Sequence, residues 1–329
     1  MILSTRKASL IAYLMVVSAV LAQAGCGKKV TEPPPAATAE EAIMRVTKGL
    51  QENKPVAIWH ALPASYQKDV HDLIHTAIGR LDAEAYESTI KFARRLHTIL
   101  NTKKQFIVNH PTVSGFLGKG NAEQIVGSLE VILGELLDSD LASHSSAKAI
   151  DMAYFLDTTG ARIMGRLMNA IENVPMMGVD AEYMSLADSL KQVKATKVRG
   201  EGDSVVLKME APGKEPEEME FVRVEGKWIP KEMADDWAAN MKEAKESLAA
   251  MTDKEWREIN MGLMMGSAML GGMLAPLESA KTQEEFNAAV GTLLQGLPFP
   301  GLDGGPEPST TDDDPPAKTE SDGSPKQLD

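Results

Sequence analysis

A chain with one cysteine cannot close a disulfide within itself, and in this chain the cysteine is Cys26, just behind an export leader. Arg6 and Lys7 supply a short positive region, and Leu10–Ala22 is an apolar run of 13 residues. Such a run is too short for a comfortable membrane span and suits a secretory core. An exported chain without a cross-link must be held by packing alone. Its 329 residues suffice for one large or two ordinary domains, and 43% apolar content indicates a globular chain. The formal charge is −13, and losing Arg6 and Lys7 with the leader makes it more negative still. That balance excludes nucleic acid as a partner and disfavours anionic lipid headgroups.

Two processing readings compete after the leader. Ala22-Gln23-Ala24 is an A-x-A cleavage site, which releases a soluble secreted or periplasmic chain beginning at Gly25. Ala24-Gly25-Cys26 resembles the end of a bacterial lipobox, whose cysteine takes a diacylglycerol and becomes the mature first residue. Gln23 departs from the apolar residue preferred at that place. The lipobox reading leads, because the sole cysteine falls where a lipobox needs it. Acyl chains stabilise anchoring by about 0.8 kcal/mol per buried CH₂, so a lipid on Cys26 ties the chain to a membrane without a spanning helix.

The predicted organisation is a signal peptide at 1–25, a Pro-rich tether at 26–39 and a helical region at 40–192. An antiparallel meander follows at 193–231, then C-terminal helices at 232–297 packing on the same core, and a disordered acidic tail at 298–329. Pro33-Pro34-Pro35 marks the tether. Thr38 and Glu41 form a capping box for the first helix. Apolar residues then recur at three and four residues: Val70, Ile74 and Ile78, then Tyr86, Ile90, Ala93, Leu96 and Ile99 behind Asp82 as N-cap. Ser145 or Ser146 starts another helix, bent at Gly160 and continuing to Pro175, and Asp180 caps a short one. After Val193 the period becomes two. Val205, Leu207 and Met209 alternate with Val206, Lys208 and Glu210, and Glu225-Gly226 links two strands as a hairpin. The fold class predicted is mainly α, bundle-like, with a small antiparallel meander of three to four strands, α+β overall. One long helix is predicted from about Met233, first charged and then apolar. The tail from Gly301 has eight acidic side chains, five prolines and two lysines, too little apolar surface to fold.

Candidate chemistry is sparse. His71 and His75 stand one helical turn apart in His71-Asp72-Leu73-Ile74-His75, the spacing of the H-E-x-x-H zinc motif with Asp in place of Glu. Asp69 stands close enough in sequence to join them. The competing reading is two histidines on the flank of an amphipathic helix. His97 borders the stripe of its helix, His60 stands near a helix start, and His110 and His144 fall in predicted loops. Met261, Met264, Met265, Met269 and Met273 lie in the segment Ile259–Leu277, which carries no charge. Core packing is their leading reading, with contact to lipid or a protein partner and Cu(I) binding by thioethers as alternatives. Gly262 and Gly266 form G-x-x-x-G there, read as close packing of a buried helix or as part of a second membrane span.

The leader, single processing-site cysteine, proline tether and acidic tail together resemble secreted or lipid-anchored proteins of planctomycete-type bacteria, as does Trp59-His60-Ala61-Leu62-Pro63-Ala64-Ser65-Tyr66-Gln67-Lys68-Asp69. The 196–230 meander, ending Val224-Glu225-Gly226-Lys227-Trp228, resembles the last strands of NTF2-like or cystatin-like lipoprotein domains. Neither resemblance implies a catalytic residue. The function expected is a non-enzymatic cell-envelope lipoprotein, periplasmic or outer-membrane-associated, with a binding or scaffolding role and no cofactor. Its expected partners are a membrane, through the lipid anchor, and a protein. The alternatives are a metal-dependent envelope hydrolase using His71 and His75, and a helical protein that binds lipid or a partner through Met261–Leu277.

Overall fold

The computed structural model describes residues 30–173 and 186–296. The leader, Cys26, the start of the tether, Asp180 and the 298–329 tail lie outside the described residues. Within them the protein is mainly helical with one four-stranded antiparallel sheet, the α+β class its periodicities predict.

Residues 30–38 lead without helix or strand into α1, Ala39–Gln51. They are pinned to the fold. Arg45 donates to the Pro34 carbonyl, Arg223 to that of Ala37 at 2.9 Å, and Lys227 pairs with Glu32. Thr38 caps α1 by accepting the Glu41 N–H at 3.2 Å. Glu41 itself reaches one residue beyond the capping box and accepts from the Ala37 N–H at 2.8 Å. That amide, and then Arg45, hold its carboxyl below the usual range.

Short helices follow: α2 Val56–Ala61, α3 Ala64–Gly79, α4 Ala83–Thr102, α5 Lys104–Val108, α6 Pro111–Leu117 and α7 Lys119–Leu137. The single helix expected from Ser145 or Ser146 is three. Ser143 caps α8, His144–Ala147, and Asp151 caps α9, Met152–Asp157. Thr158 leaves helical geometry (φ −107°, ψ −82°), so α10, Thr159–Asn173, starts afresh one residue before Gly160. Each new cap gives the backbone a local partner that a continuing helix would deny it. Helix α11, Leu186–Gln192, precedes the sheet.

Strands β1 Lys194–Glu201, β2 Ser204–Glu210, β3 Glu217–Val224 and β4 Lys227–Pro230 pair in chain order. Glu225 and Gly226 both have positive φ (51° and 79°), as a two-residue type I′ link requires. Val205, Leu207, Phe221 and Trp228 pack one face of the sheet against Ala39 of α1. The β1 edge carries Lys194, Lys197 and Arg199 and shifts register between Lys197 and Arg199, features that blunt an open edge.

The chain after β4 is also two helices, not one: α12 Lys231–Ala249 and α13 Asp253–Ser279, followed by α14 Gln283–Gly296. Thr252 and Glu255 make a full capping box between the first two. Helix α12 buries no residue. It is held by Trp237, which stacks on Tyr66 of α3 at 4.0 Å and 1° and donates to Asp69 at 3.0 Å. The apolar interior of the described residues is divided among four clusters. The one that positions the last helices joins Ile99 of α4 to Leu274, Leu277, Phe286 and Ala289.

Helix α13 lies along α4 in the most extensive helix pairing of the fold. The seam between them is polar at intervals. Asn260, 4% exposed, accepts from the Asp82 N–H at 3.0 Å and donates to the Arg80 carbonyl at 3.3 Å. Ser267 meets Thr89 at 3.3 Å. Arg95 clasps Glu278 through two hydrogen bonds of 2.7 Å, and the guanidinium occupies space left by the missing side chain of Gly271.

Two stability predictions follow from this geometry. Gly200 has φ +97°, and a Cβ there would lie 2.5 Å from the Ser204 carbonyl oxygen, whereas Gly202 has φ +66° with open space around it. Gly200→Ala is therefore expected to cost about 3 kcal/mol and Gly202→Ala only about 1 kcal/mol in chemical denaturation. Equal losses would show that the close approach at Gly200 is not a constraint. Asn260→Ala strips the α3–α4 corner of both its partners and is expected to cost about 2 kcal/mol. A loss below about 0.5 kcal/mol would mean the seam does not depend on that amide.

Candidate functional site

Helix α3 carries His71 and His75, and the structure does bring them together. Their rings are stacked at 3.9 Å between centroids and 24° between planes. His75 Nε2 lies 3.3 Å from the Ile150 carbonyl, which only accepts, so that nitrogen carries a proton. Stacked rings send their nitrogen lone pairs out in near-parallel planes rather than toward one point. Asp69 does not join them. Two residues along a helix is more than half a turn, so Asp69 faces α12, where Trp237 and Lys245 engage it. Those hydrogen bonds, Lys245 first, hold its carboxyl below the ordinary range. Asp72 pairs with Lys68. Among the described residues no group of three or more His, Cys, Asp or Glu could hold a metal ion.

The other histidines have structural settings. His97 sits between α4 and α7, 3.9 Å from Glu130, with its Nε2 in the space that Gly134 leaves open. His110 precedes α6 at its N-cap position and is buried, and His144 opens α8 with Nε2 3.1 Å from the Ile78 carbonyl. His60 lies in the last turn of α2, just ahead of the start of α3, and its carbonyl accepts from Lys227 at 2.8 Å. Two depressions mark the surface. One of about 290 Å³ lies between Pro33–Pro35, α1 and Trp228, and one of about 360 Å³ lies beside Lys104, Gln124 and Arg166. In the first, Arg45 and Lys227 are already engaged by Pro34, Glu32 and His60.

The outer face of α13 departs furthest from the sequence reading. The methionines there do not all fill a core. Met261, Met265 and Met269 are 57%, 65% and 64% exposed. At 100° per residue they share a solvent arc of roughly 140° with Gly262, Ala268, Gly272, Ala275 and Pro276, all open to solvent or nearly so. No polar side chain stands on that arc between Glu258 and Ser279. The polar residues of this stretch, Asn260, Ser267 and Glu278, all face α4. The helix is thus apolar on both sides: Leu274 and Leu277 face the Ile99 cluster, with Asn260, Ser267 and Glu278 on the same side, and the methionines face water. Among the described residues, Gly262, Gly266 and Gly272 have nothing within 4 Å of where a Cβ would be, so the close packing expected at the G-x-x-x-G pair is not made there. No helix among the described residues is long and apolar enough to cross a membrane. A wheel of the sequence separates the two sides, because the three polar residues fall on one and Met261, Met265 and Met269 on the other.

No protein-family model, curated protein or solved structure matches this chain. The outer face of α13 therefore stands as the candidate site on its own geometry. An apolar arc without local partners can bind another apolar surface and offers no group for proton or group transfer.

The stacked histidines generate a pH prediction. Burial, and then His75, push the His71 imidazole below its ordinary 6.5. The unfolded chain therefore takes up that proton first, and stability falls as pH drops below 6.5 toward the folded value. His71→Gln is expected to flatten the decline in urea midpoint between about pH 6.5 and 5, and a ring-proton titration of His71 to give a midpoint below 6.5. A midpoint above 6.5 would mean a neighbouring acid outweighs burial.

Proposed function

We propose that this protein is a non-enzymatic docking protein of the cell envelope, tethered by lipid on Cys26 and binding its partner through the outer face of α13. The observation that carries the docking role is the arc of Met261, Met265 and Met269, more than half exposed, on a face without a polar side chain between Glu258 and Ser279. Methionine suits such a face because its side chain is flexible and its sulfur polarisable, so it adapts to what it meets. The tether reading is supported by the apolar run Leu10–Ala22 and the placement of the sole cysteine. Two acyl chains suffice for stable anchoring. A lipid at one end and an apolar docking face within the fold make a chain that holds something at a membrane.

One mass-spectrometric digest of the membrane fraction from producing cells tests both halves, after a brief peroxide pulse. Diacyl- or triacylglyceryl-Cys26 is expected at the mature N-terminus, and a lipid-free Gly25 start would remove the tether. Met44 and Met233, 42% and 38% exposed, serve as internal references. Exposure alone makes Met261, Met265 and Met269 oxidise faster than these references; a covered face is expected to make them slower by about fivefold. Oxidation at or above the reference rate would overturn the docking role.

A further inference from the structure

We infer that the outer face of α13 pairs with the same face of a second copy of this chain, antiparallel about a two-fold axis near Ala268. The inference rests on the docking reading and names its occupant.

Large and small side chains are not spread evenly along the face. The methionine ridge, Met261, Met265 and Met269, begins the face, with Gly262 at its flank, and the shallow part, Ala268, Gly272 and Ala275, ends it beside Pro276. A parallel pairing sets ridge on ridge and leaves the shallow halves apart. An antiparallel pairing sets each ridge into the other copy's shallow half: Met261 against Ala275, Met265 against Gly272, Met269 against Ala268. The three contacts share one centre, so one two-fold axis satisfies all of them, the isologous arrangement of most dimers. Among the described residues the space over Gly272 is empty, and glycine in a helix interior costs about 1 kcal/mol against alanine. Close approach of a second backbone is the use such a position serves.

Antiparallel pairing also opposes the two helix dipoles. A lipid surface fits less well. Helices that lie in membranes present Trp, Phe or Leu above a basic rim. Here the face is methionine, glycine and alanine, on a chain of net charge −13. The uncharged stretch of 19 residues is about 28 Å long, so the paired helices form a modest interface at the low end of stable dimers.

The test uses the full chain carrying Cys26→Ser, which leaves an introduced cysteine as the sole thiol. With Ala268→Cys, near the axis, mild oxidation is expected to give disulfide-linked dimers. Met261→Cys alone is expected to give none, and Met261→Cys with Ala275→Cys together to give them again. In sedimentation the parent chain is expected to be a dimer at tens of micromolar, and Met265→Glu to raise the dissociation constant about 100-fold by burying an unpaired charge. Met265 is already exposed in the single copy, so this variant is expected to keep its fold. Gly272→Leu fills the shallow half with a better helix former; it is expected to dissociate the dimer while the melting temperature of the single copy holds or rises. A parent chain monomeric at about 100 micromolar, well above ordinary dimer affinities, with no Ala268→Cys dimers, overturns the inference. So do self-linked Met261→Cys dimers, which require the parallel arrangement. If the parent is monomeric while methionine protection persists in cells, self-pairing fails and the docking role survives. If protection is lost as well, both fail.

Discussion

The fold depends on the seam between α4 and α13. Asn260 fixes one end to the α3–α4 corner, Ser267 meets Thr89 in the middle, and Arg95 grips Glu278 at the other end. Around these polar points the apolar contacts of Ile99, Leu274 and Leu277 gather the cluster on which α14 also packs. Burial of those side chains contributes more energy than the polar groups do, but it is non-directional. The polar groups determine which rotation of α13 about its own axis is allowed. A rotated helix would leave Asn260 and Glu278 without partners, or the Arg80 carbonyl and Arg95 without theirs.

The remaining elements join that seam through few but specific contacts. Helix α3 leads into the Arg80–Asp82 corner and also receives α12, through the Tyr66–Trp237 stack and the Asp69 bridge to Trp237 and Lys245. Helix α12 spans from α3 to the sheet without burying a residue of its own. Helix α1 closes the sheet from the other side, over Phe221 and Trp228, and residues 30–38 are bound across its start. Helix α1 thus packs across the sheet from β1 to β4, α12 meets it at β3 and β4, and the free edge of β1 is charged.

Much of this was legible in the sequence, and the reasons differ by element. Alternation in Val205–Met209 and the Glu225-Gly226 link produced the meander, because period two and a positive-φ turn are local properties. Thr38 was readable as a cap for the same reason. The breaks at Thr158 and Thr252 were missed, since apolar spacing continued across both and only the caps at Asp151 and Thr252 argued otherwise. The His71–His75 spacing was read correctly as one shared face, but spacing alone did not show that the rings would stack and that Ile150 would engage one of them. The methionines were misread for a deeper reason. Apolar composition signals burial on average, and the uncharged run Ile259–Leu277 looks buried all round. Which side lies against the protein is decided by Asn260, Ser267 and Glu278, whose partners lie on α4, far away in sequence.

The second apolar side of α13 bears on why the polar seam exists. A helix with two apolar sides could seat either of them on α4 with similar gain from burial. If Met261, Met265 and Met269 turned inward, Leu274 and Leu277 would be turned to water in their place. Polar residues in the seam remove that ambiguity. Each loses a hydrogen-bonded partner when the helix turns, and an unmet buried polar group costs about 1–3 kcal/mol. With burial gains similar on the two sides, three such sites decide the orientation, and methionine bulk in the seam would also meet the Arg95 guanidinium beside Gly271. The polar groups between α4 and α13 thus keep an apolar face turned to water in the single copy, and a chain that maintains such a face against its own burial has a surface suited to a partner.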